Sequence, residues 1–330
     1  MSFCSFSYDF SEKGKENKEK QYGFSARVEV GVLLLLMSSN IYPNPYSLDD
    51  EFDLDDDDSV HINNRKIDSL SDDPDTSIGV LNNSLMFDIS YIFSEGIELY
   101  SGTPFYDNDR QGLTFGIAKT FDNESRLDFS VFGGIFYVWE DPFLVGVDRD
   151  KTELYFGGIM FDFDHILGSE FDIYVRAKHL ETDKDLIGKR YPELQRKGEV
   201  TELGVRYNFE LLKKHYLVPG ICLIKSDMKG SSESYTGYKA DLTYYFEREN
   251  YSIFSSVSVW NNRYDDIHPI FNKTNDEDAF WLGAIYTRFN LFGFPYFYLR
   301  AGVGISNIDS NIDFYDTKSI LTTVTFGYLY

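Results

Sequence analysis

Cysteine, proline, tryptophan, positive charge and long apolar runs are all scarce in this chain. Two cysteines, Cys4 and Cys222, build no disulfide framework, a usage that suits a protein crossing an oxidising compartment. Basic residues number 31 against 54 acidic ones, a net charge of -23. That balance excludes nucleic-acid phosphates as the main target. No segment approaches the roughly 18 consecutive apolar residues of a spanning helix. The most apolar stretch, Val30 to Met37, is far shorter. Mean hydropathy of -0.33 also excludes a bundle of membrane helices. It leaves room for a membrane barrel, in which every second strand residue faces lipid. Met1 to Gln21 shows no secretory pattern of basic residues, apolar core and small-residue cleavage site. The expectation is that an export signal, if used, is not part of this sequence.

What is abundant points to strands. There are 29 Phe, 25 Tyr and 25 Gly but only 9 Pro among 330 residues, a composition of strands and turns rather than helices. The clearest stretch is Lys318–Tyr330. Ile320, Thr322, Val324, Phe326, Tyr328 and Tyr330 share one face at period two, and Leu321, Thr323, Thr325, Gly327 and Leu329 share the other. An alternating terminal strand ending on an aromatic looks like the assembly strand of a bacterial outer-membrane barrel. Val324, Phe326, Tyr328 and Tyr330 would be its working face.

The same rhythm recurs along the chain. Strands are expected at Tyr22–Met37, Leu81–Phe93, Ile97–Ser101, Gln111–Phe121, Arg126–Val138, Thr152–Phe163 and Phe171–Leu180. They continue at Glu199–Phe209, Tyr216–Lys225, Tyr235–Phe246, Tyr251–Asn261, Ala279–Leu291, Tyr296–Ser306 and Lys318–Tyr330. Short connections alternate with long ones, the pattern of a barrel with short periplasmic turns and long outer loops. The reading is therefore all-β, a closed antiparallel transmembrane barrel of about fourteen strands, with twelve left open. Ile97–Ser101 is short and Pro219 interrupts Tyr216–Lys225, so these are the weakest members. Residues 1–21 form a charged N-terminal segment and 22–330 the barrel. Residues 38–79 form one long outer loop carrying eight acidic residues between Asp49 and Asp58. Like-charge repulsion should keep that run solvated.

Alternation also assigns faces. The inward, candidate pore-lining charges are Arg27, Glu29, Asp88, Arg126, Asp128, Asp172, Arg176, Lys178, Glu202, Arg206, Lys239, Asp241 and Arg300. The two signs nearly balance, so the acidity of the chain lies in its loops. Aromatics such as Tyr207, Phe209, Tyr244, Phe246, Tyr328 and Tyr330 fall at the short-turn ends, as an interfacial girdle would. A soluble sandwich alternates too. The girdle and the uniform strand length favour lipid outside and a polar lumen inside.

The long loops carry recognisable residues. Trp139-Glu140-Asp141-Pro142 with Gly146 and Asp148-Arg149, then His268-Pro269-Ile270-Phe271 with Lys273-Thr274, then Ser310 to Asp316, form a set. Leu99 to Pro104 and Lys66 to Leu70 belong with them. Over about Tyr22 to Tyr330 the chain resembles the bacterial outer-membrane barrel family catalogued as domain of unknown function 2860. The resemblance implies a Gram-negative outer-membrane protein and no established activity, substrate or catalytic residue. The chain departs from that family in its very acidic first loop and in ending on Tyr where Phe is usual.

Candidate chemistry is thin. Asp53, Asp55 and Asp57 have calcium-loop spacing, but Asp58 stands where Gly is needed and Asn64 where Glu is needed. No metal site and no cofactor are expected. His268 lies near Asp265 in a long loop, yet no G-x-S-x-G motif supports hydrolysis. Pinning of the loop is the better role for that pair. Trp139, Glu140 and Asp141 suit either a folded-in loop that constricts the pore or contacts a ligand, or a Pro-stiffened turn with Trp139 at the lipid interface. The leading expectation is a non-enzymatic, porin-like channel for a small solute. A plugged barrel acting as a surface-exposed binding or structural protein is the alternative, and a rim hydrolase the third. Expected partners are outer-membrane lipid and lipopolysaccharide, and the barrel-assembly machinery during insertion. Nucleic acid is not among them.

Overall fold

The computed structural model describes residues 22–45, 65–71, 73–74, 76–93, 95–103 and 112–330. The charged segment 1–21 and the acidic run within 46–64 lie outside the described residues. So do Cys4 and the calcium-like spacing at Asp53, Asp55 and Asp57. Alternation of apolar and polar residues has its consequence throughout, as one antiparallel sheet of fifteen strand segments. These are β1 (Gly23–Ser39), β2 (Thr76–Ile92), β3 (Ile97–Gly102), β4 (Leu113–Thr120), β5 (Arg126–Trp139), β6 (Lys151–Asp164) and β7 (Phe171–Thr182). They continue as β8 (Lys197–Tyr207), β9 (Phe209–Leu212), β10 (His215–Met228), β11 (Tyr235–Arg248) and β12 (Tyr251–Ile267). The last three are β13 (Thr274–Arg288), β14 (Phe297–Ser310) and β15 (Thr317–Leu329).

The sheet closes on itself. β15 pairs with β1 along Arg27↔Leu329 to Ser39↔Thr317, and β10 pairs with both β8 and β11. β9 continues the line of β8 past Asn208 and pairs with the start of β10, so the closed barrel has fourteen staves. Closure removes the free strand edges that lipid could not hydrogen-bond. Twelve strands are excluded, because both weak candidates are staves. β3 pairs on each side, and β10 runs through Pro219 with paired residues before and after it. No described helix is long and apolar enough to cross a membrane.

Outward residues form a continuous apolar belt. Phe115, Val131, Ile159, Val175, Leu203, Leu223, Val259, Leu282, Val303 and Val324 are all exposed, far more apolar surface than a soluble monomer leaves in water. The ordinary protein core is therefore elsewhere. One part lines the lumen, where Phe132, Phe156, Met160, Tyr174, Val200, Cys222 and Ile224 pack together. Another is the inward row Leu33, Leu35 and Met37 of β1. Close fit in this wall depends on glycines opposite inward tyrosines. A Cβ at Gly204 would stand 2.2 Å from the Tyr174 ring, and one at Gly327 2.1 Å from Tyr298. The third part of the core lies outside the strands altogether, in the long loops.

Candidate functional site

Period two sends the thirteen candidate charges to the inner face, where ten of them form ion pairs within the wall. Arg176 and Glu202 sit directly opposite on β7 and β8, 3.0 Å apart and 2% and 1% exposed. Lys239 bonds Asp241 at 3.2 Å. Arg300 pairs with Glu29, whose other oxygen accepts from Thr325 Oγ1 at 2.8 Å. Arg27 pairs with Asp88 across β1 and β2. Arg126 lies 2.9 Å from Glu98 and 3.5 Å from Asp128, and Asp128 also accepts from Tyr100 at 2.5 Å. The guanidinium of Arg206 stacks 4.2 Å from the Tyr174 ring. Asp172 accepts from Asn208 Nδ2 at 2.6 Å, and Lys178 is buried. Paired in this way, the charges satisfy each other's desolvation, which unpaired would cost several kcal/mol each.

Glu98 and Asp162 belong to this wall and were missing from the sequence-derived set. Asp162 had a signal, since it alternates with Phe161 and Phe163 on β6. Glu98 sat in a stave too short for its period to be read.

The long loops meet above this wall. Phe143 of the β5–β6 loop lies 5.3 Å from the His268 ring and 5.8 Å from Phe271, both in the β12–β13 loop. It also lies 5.1 Å from Phe314 in the β14–β15 loop. Ile67, Ile187, Leu194, Ile312 and Tyr315 complete a single apolar cluster. The geometry of closure makes this a cap. Between the β5–β6 and β12–β13 loops stand β7, β8, β10 and β11 on one side and β4 to β1, β15 and β14 on the other. The two loops rise from nearly opposite walls. With strands roughly 4.8 Å apart and tilted about 40°, a barrel of fourteen is on the order of 28 Å across. Side chains from opposite walls can touch only by crossing the mouth.

Arg149 fastens the cap. It is fully buried, donates to Asn40 O at 2.7 Å and Pro142 O at 2.9 Å, and donates through Nε to Arg65 O at 3.1 Å. Its guanidinium stacks 4.6 Å from the Trp139 ring. Burial lowers its pKa to about 10, so it stays charged at neutral pH. Trp139 is wholly buried, which corrects the lipid-interface reading of this residue: the guanidinium offers its ring a better partner than the membrane edge does. Glu140 pairs with Lys184 at 3.3 Å and Asp141 with Arg190 at 3.0 Å. The main-chain oxygen of Glu140 accepts from Leu186 and Ile187. The β5–β6 loop is thereby tied to the β7–β8 loop and its short helix α1 (Leu186–Arg190).

His268 and Asp265 part company. His268 is 1% exposed. Its Nδ1 accepts from Ile270 N at 3.2 Å, which leaves the ring proton on Nε2, 2.8 Å from Tyr315 Oη. Burial lowers its pKa to about 4. Asp265 instead turns to Lys225 at 2.8 Å on a half-exposed stretch of wall. The pair expected to pin one loop is not assembled: His268 is held in the cap without Asp265, and no Asp–His dyad of a hydrolase forms between them. No described group of His, Cys, Asp and Glu could hold a metal ion.

The terminal strand presents Val324, Phe326, Tyr328 and Tyr330 to the outside. Tyr330 exchanges both main-chain hydrogen bonds with Ala26, at 2.8 and 3.1 Å, beyond the last residue of β15. Its ring lies 5.8 Å from Phe24. The last residue thus completes the seam.

No curated protein sequence matches the chain. Among solved structures it is similar to the CymD monoaromatic hydrocarbon channel, at 7% identity and a TM-score of 0.46, over 94% of this chain and 89% of that one. It is also similar to LpxR from Salmonella typhimurium, at 12% identity and a TM-score of 0.39, over 66% of this chain and 90% of that one. A third is the anion-selective porin from Comamonas acidovorans, at 7% identity and a TM-score of 0.39, over 94% and 100%. Residues 23–329 match the model of the family described as protein of unknown function DUF2860, and the chain belongs to that family.

Proposed function

We propose that this protein is a bacterial outer-membrane barrel closed at its outer mouth, and that it serves as a surface-exposed binding or structural protein rather than as an open porin. The observation that carries the reading is the contact of Phe143 with His268 and Phe271 across the mouth. An open porin keeps water in contact with its lining charges, whereas Arg176, Glu202, Lys239 and Asp241 are buried. The exposed apolar belt supports a place in lipid, and the outward face of β15 is a suitable surface for the assembly machinery. Planar-bilayer recording of the refolded full chain is the test. Silence at low voltage is expected, and steady porin-sized conductance would sink the closed-barrel reading.

A second reading rests on one observation of its own. The lumen wall is charged and hydrogen-bonded as well as apolar, and an apolar filling would close a barrel at lower cost. In that reading the cap is a gate for a small polar solute. Voltage-dependent openings that become frequent when the Phe143 contacts are removed would favour the gate.

A further inference from the structure

The short-turn end carries a cavity that neither the cap nor the lumen wall accounts for. It measures about 350 Å³ and is lined by Lys214, Arg248, Glu249, Asn250, Tyr251 and Arg288. Three staves bring these residues together. Arg248 pairs with Tyr251 across the β11–β12 turn, and Tyr251 pairs with Arg288 at the end of β13. Lys214 is held beside them because Glu247 N donates to its main-chain oxygen at 3.3 Å. Its φ of 69° is a conformation that favours glycine, so a lysine there is not explained by turn geometry.

The lining of the cavity is mainly cationic. Three cations meet one lining carboxylate, Glu249, and none of Lys214, Arg248 or Arg288 has an ion-pair partner among the described residues; a further carboxylate, Glu210, accepts from Lys214 N at 3.4 Å. In a chain of net charge -23, carboxylates to neutralise them were plentiful. The level of the cavity is equally specific. Tyr251 lies 5.7 Å from Phe246 and 6.0 Å from Tyr286, and Arg248 stacks 5.6 Å from Phe246. These rings belong to the aromatic girdle that marks the edge of the hydrocarbon. Leu211 and Leu212 stand exposed beside the turn. A concave cationic site one step below such a girdle faces the phosphate layer of a bilayer.

We propose that this cavity holds the headgroup of one phospholipid of the periplasm-facing leaflet. The phosphate sits among Arg248, Arg288 and Lys214, where guanidinium groups offer forked donors to its oxygens. An amine on the headgroup turns to Glu249. The lipid of choice is therefore a phosphatidylethanolamine, since its ammonium gives Glu249 an opposite charge, which the neutral glycerol of a phosphatidylglycerol does not. The proposal rests on reading the barrel as a membrane protein. That reading is tested separately by the gel shift of the same sample between its boiled and unboiled forms.

Native mass spectrometry of the full chain in detergent, titrated with phosphatidylethanolamine, phosphatidylglycerol or inorganic phosphate, tests the site. The wild type should retain one phosphatidylethanolamine at the lowest concentration. The double variant R248Q/R288Q should need at least tenfold more lipid for the same occupancy. E249Q should keep binding but lose the preference between the two lipids. K214Q, confined to a turn, gives a second reading if the double variant fails to shift on the gel, and should need severalfold more lipid. Unchanged occupancy in R248Q/R288Q and K214Q would overturn the proposal. Displacement of the lipid by millimolar inorganic phosphate would make this a site for a free anion instead. A wild-type preference for phosphatidylglycerol would refute the contact with Glu249.

Discussion

The two ends of this barrel are finished by opposite means. At the short-turn end, links such as Phe121 to Ser125 and Arg248 to Tyr251 simply reverse the chain. At the other end, four interstrand loops and the 65–71 segment bury Phe143, Ile187, Leu194, Ile312 and Phe314 against each other. The difference follows from the solvent. Apolar residues that face lipid gain nothing by touching other protein, so the strands' outer faces supply no core. Water-exposed loops, by contrast, can gain by burying their apolar side chains together. The motifs that carry the family resemblance, around Trp139, Arg149, His268 and Phe314, are the residues of this cap.

The comparison breaks most visibly at Glu202 and Phe143. Glu202→Ala strips the buried Arg176 of its partner on the wall, at a cost of about 3–5 kcal/mol. That loss should appear in the whole barrel, as a lower temperature for losing the gel shift. Phe143→Ala removes a ring packed on four others, also at about 3–5 kcal/mol. Here the gel shift should survive while the outer loops become sensitive to protease added from outside. If Phe143→Ala instead lowers the melting of the whole barrel, cap and wall are one cooperative unit and the contrast between them fails.

How far the sequence carried this picture differs between the two regions. Wall residues were legible because a period of two needs only neighbours in the chain: Asp172, Arg176, Glu202 and Lys239 could each be assigned inward from the residues on either side. The cap was not legible by that route. Phe143, Ile187 and Phe314 lie in loops with no period, and their contacts join segments more than forty residues apart. Trp139 shows the limit best. Its position at a strand end suits an interfacial aromatic, and the guanidinium of Arg149, at the far end of the same loop, stacks on it where it is buried. Asp265 and His268 mislead for the complementary reason, since they are near in sequence and face different surroundings.

Acid and base should act on the cap through two groups of opposite sign. His268 has its pKa lowered by burial from 6.5 to about 4. An unfolded cap therefore takes up a proton that the folded one refuses, and stability falls as pH drops below 6.5. The full loss is about 3 kcal/mol by pH 4. Glu233 lies in the 231–233 turn of the β10–β11 loop, which packs against the 192–194 turn of the cap, and is pushed by burial from 4.5 up to about 8. Its folded form holds a proton that the unfolded one releases, so its contribution is complete below pH 4.5 and fades as pH rises through 8. Protease resistance of the outer loops should thus peak between these limits. His268→Gln should remove the decline on the acid side and Glu233→Gln the decline on the alkaline side. Profiles that coincide with the wild type in both variants would remove these two groups from the account.

The smallest effect sharpens the comparison by leaving both regions alone. Lys225 and Asp265 are 2.8 Å apart, as close as any pair in the cap, yet their side chains are 50% and 46% exposed. Water already solvates both charges, so joining them gains little, and exposed pairs contribute about 0–1 kcal/mol. Asp265→Asn should therefore leave the gel-shift temperature and the protease resistance of the loops unchanged at physiological salt. The same carboxylate was singled out by its nearness to His268 in the sequence. A marked loss of cap resistance in Asp265→Asn would mean that it acts on the cap after all, through a route its contact with Lys225 does not provide. An unchanged cap would leave burial, and not charge at the rim, as what holds the outer end shut.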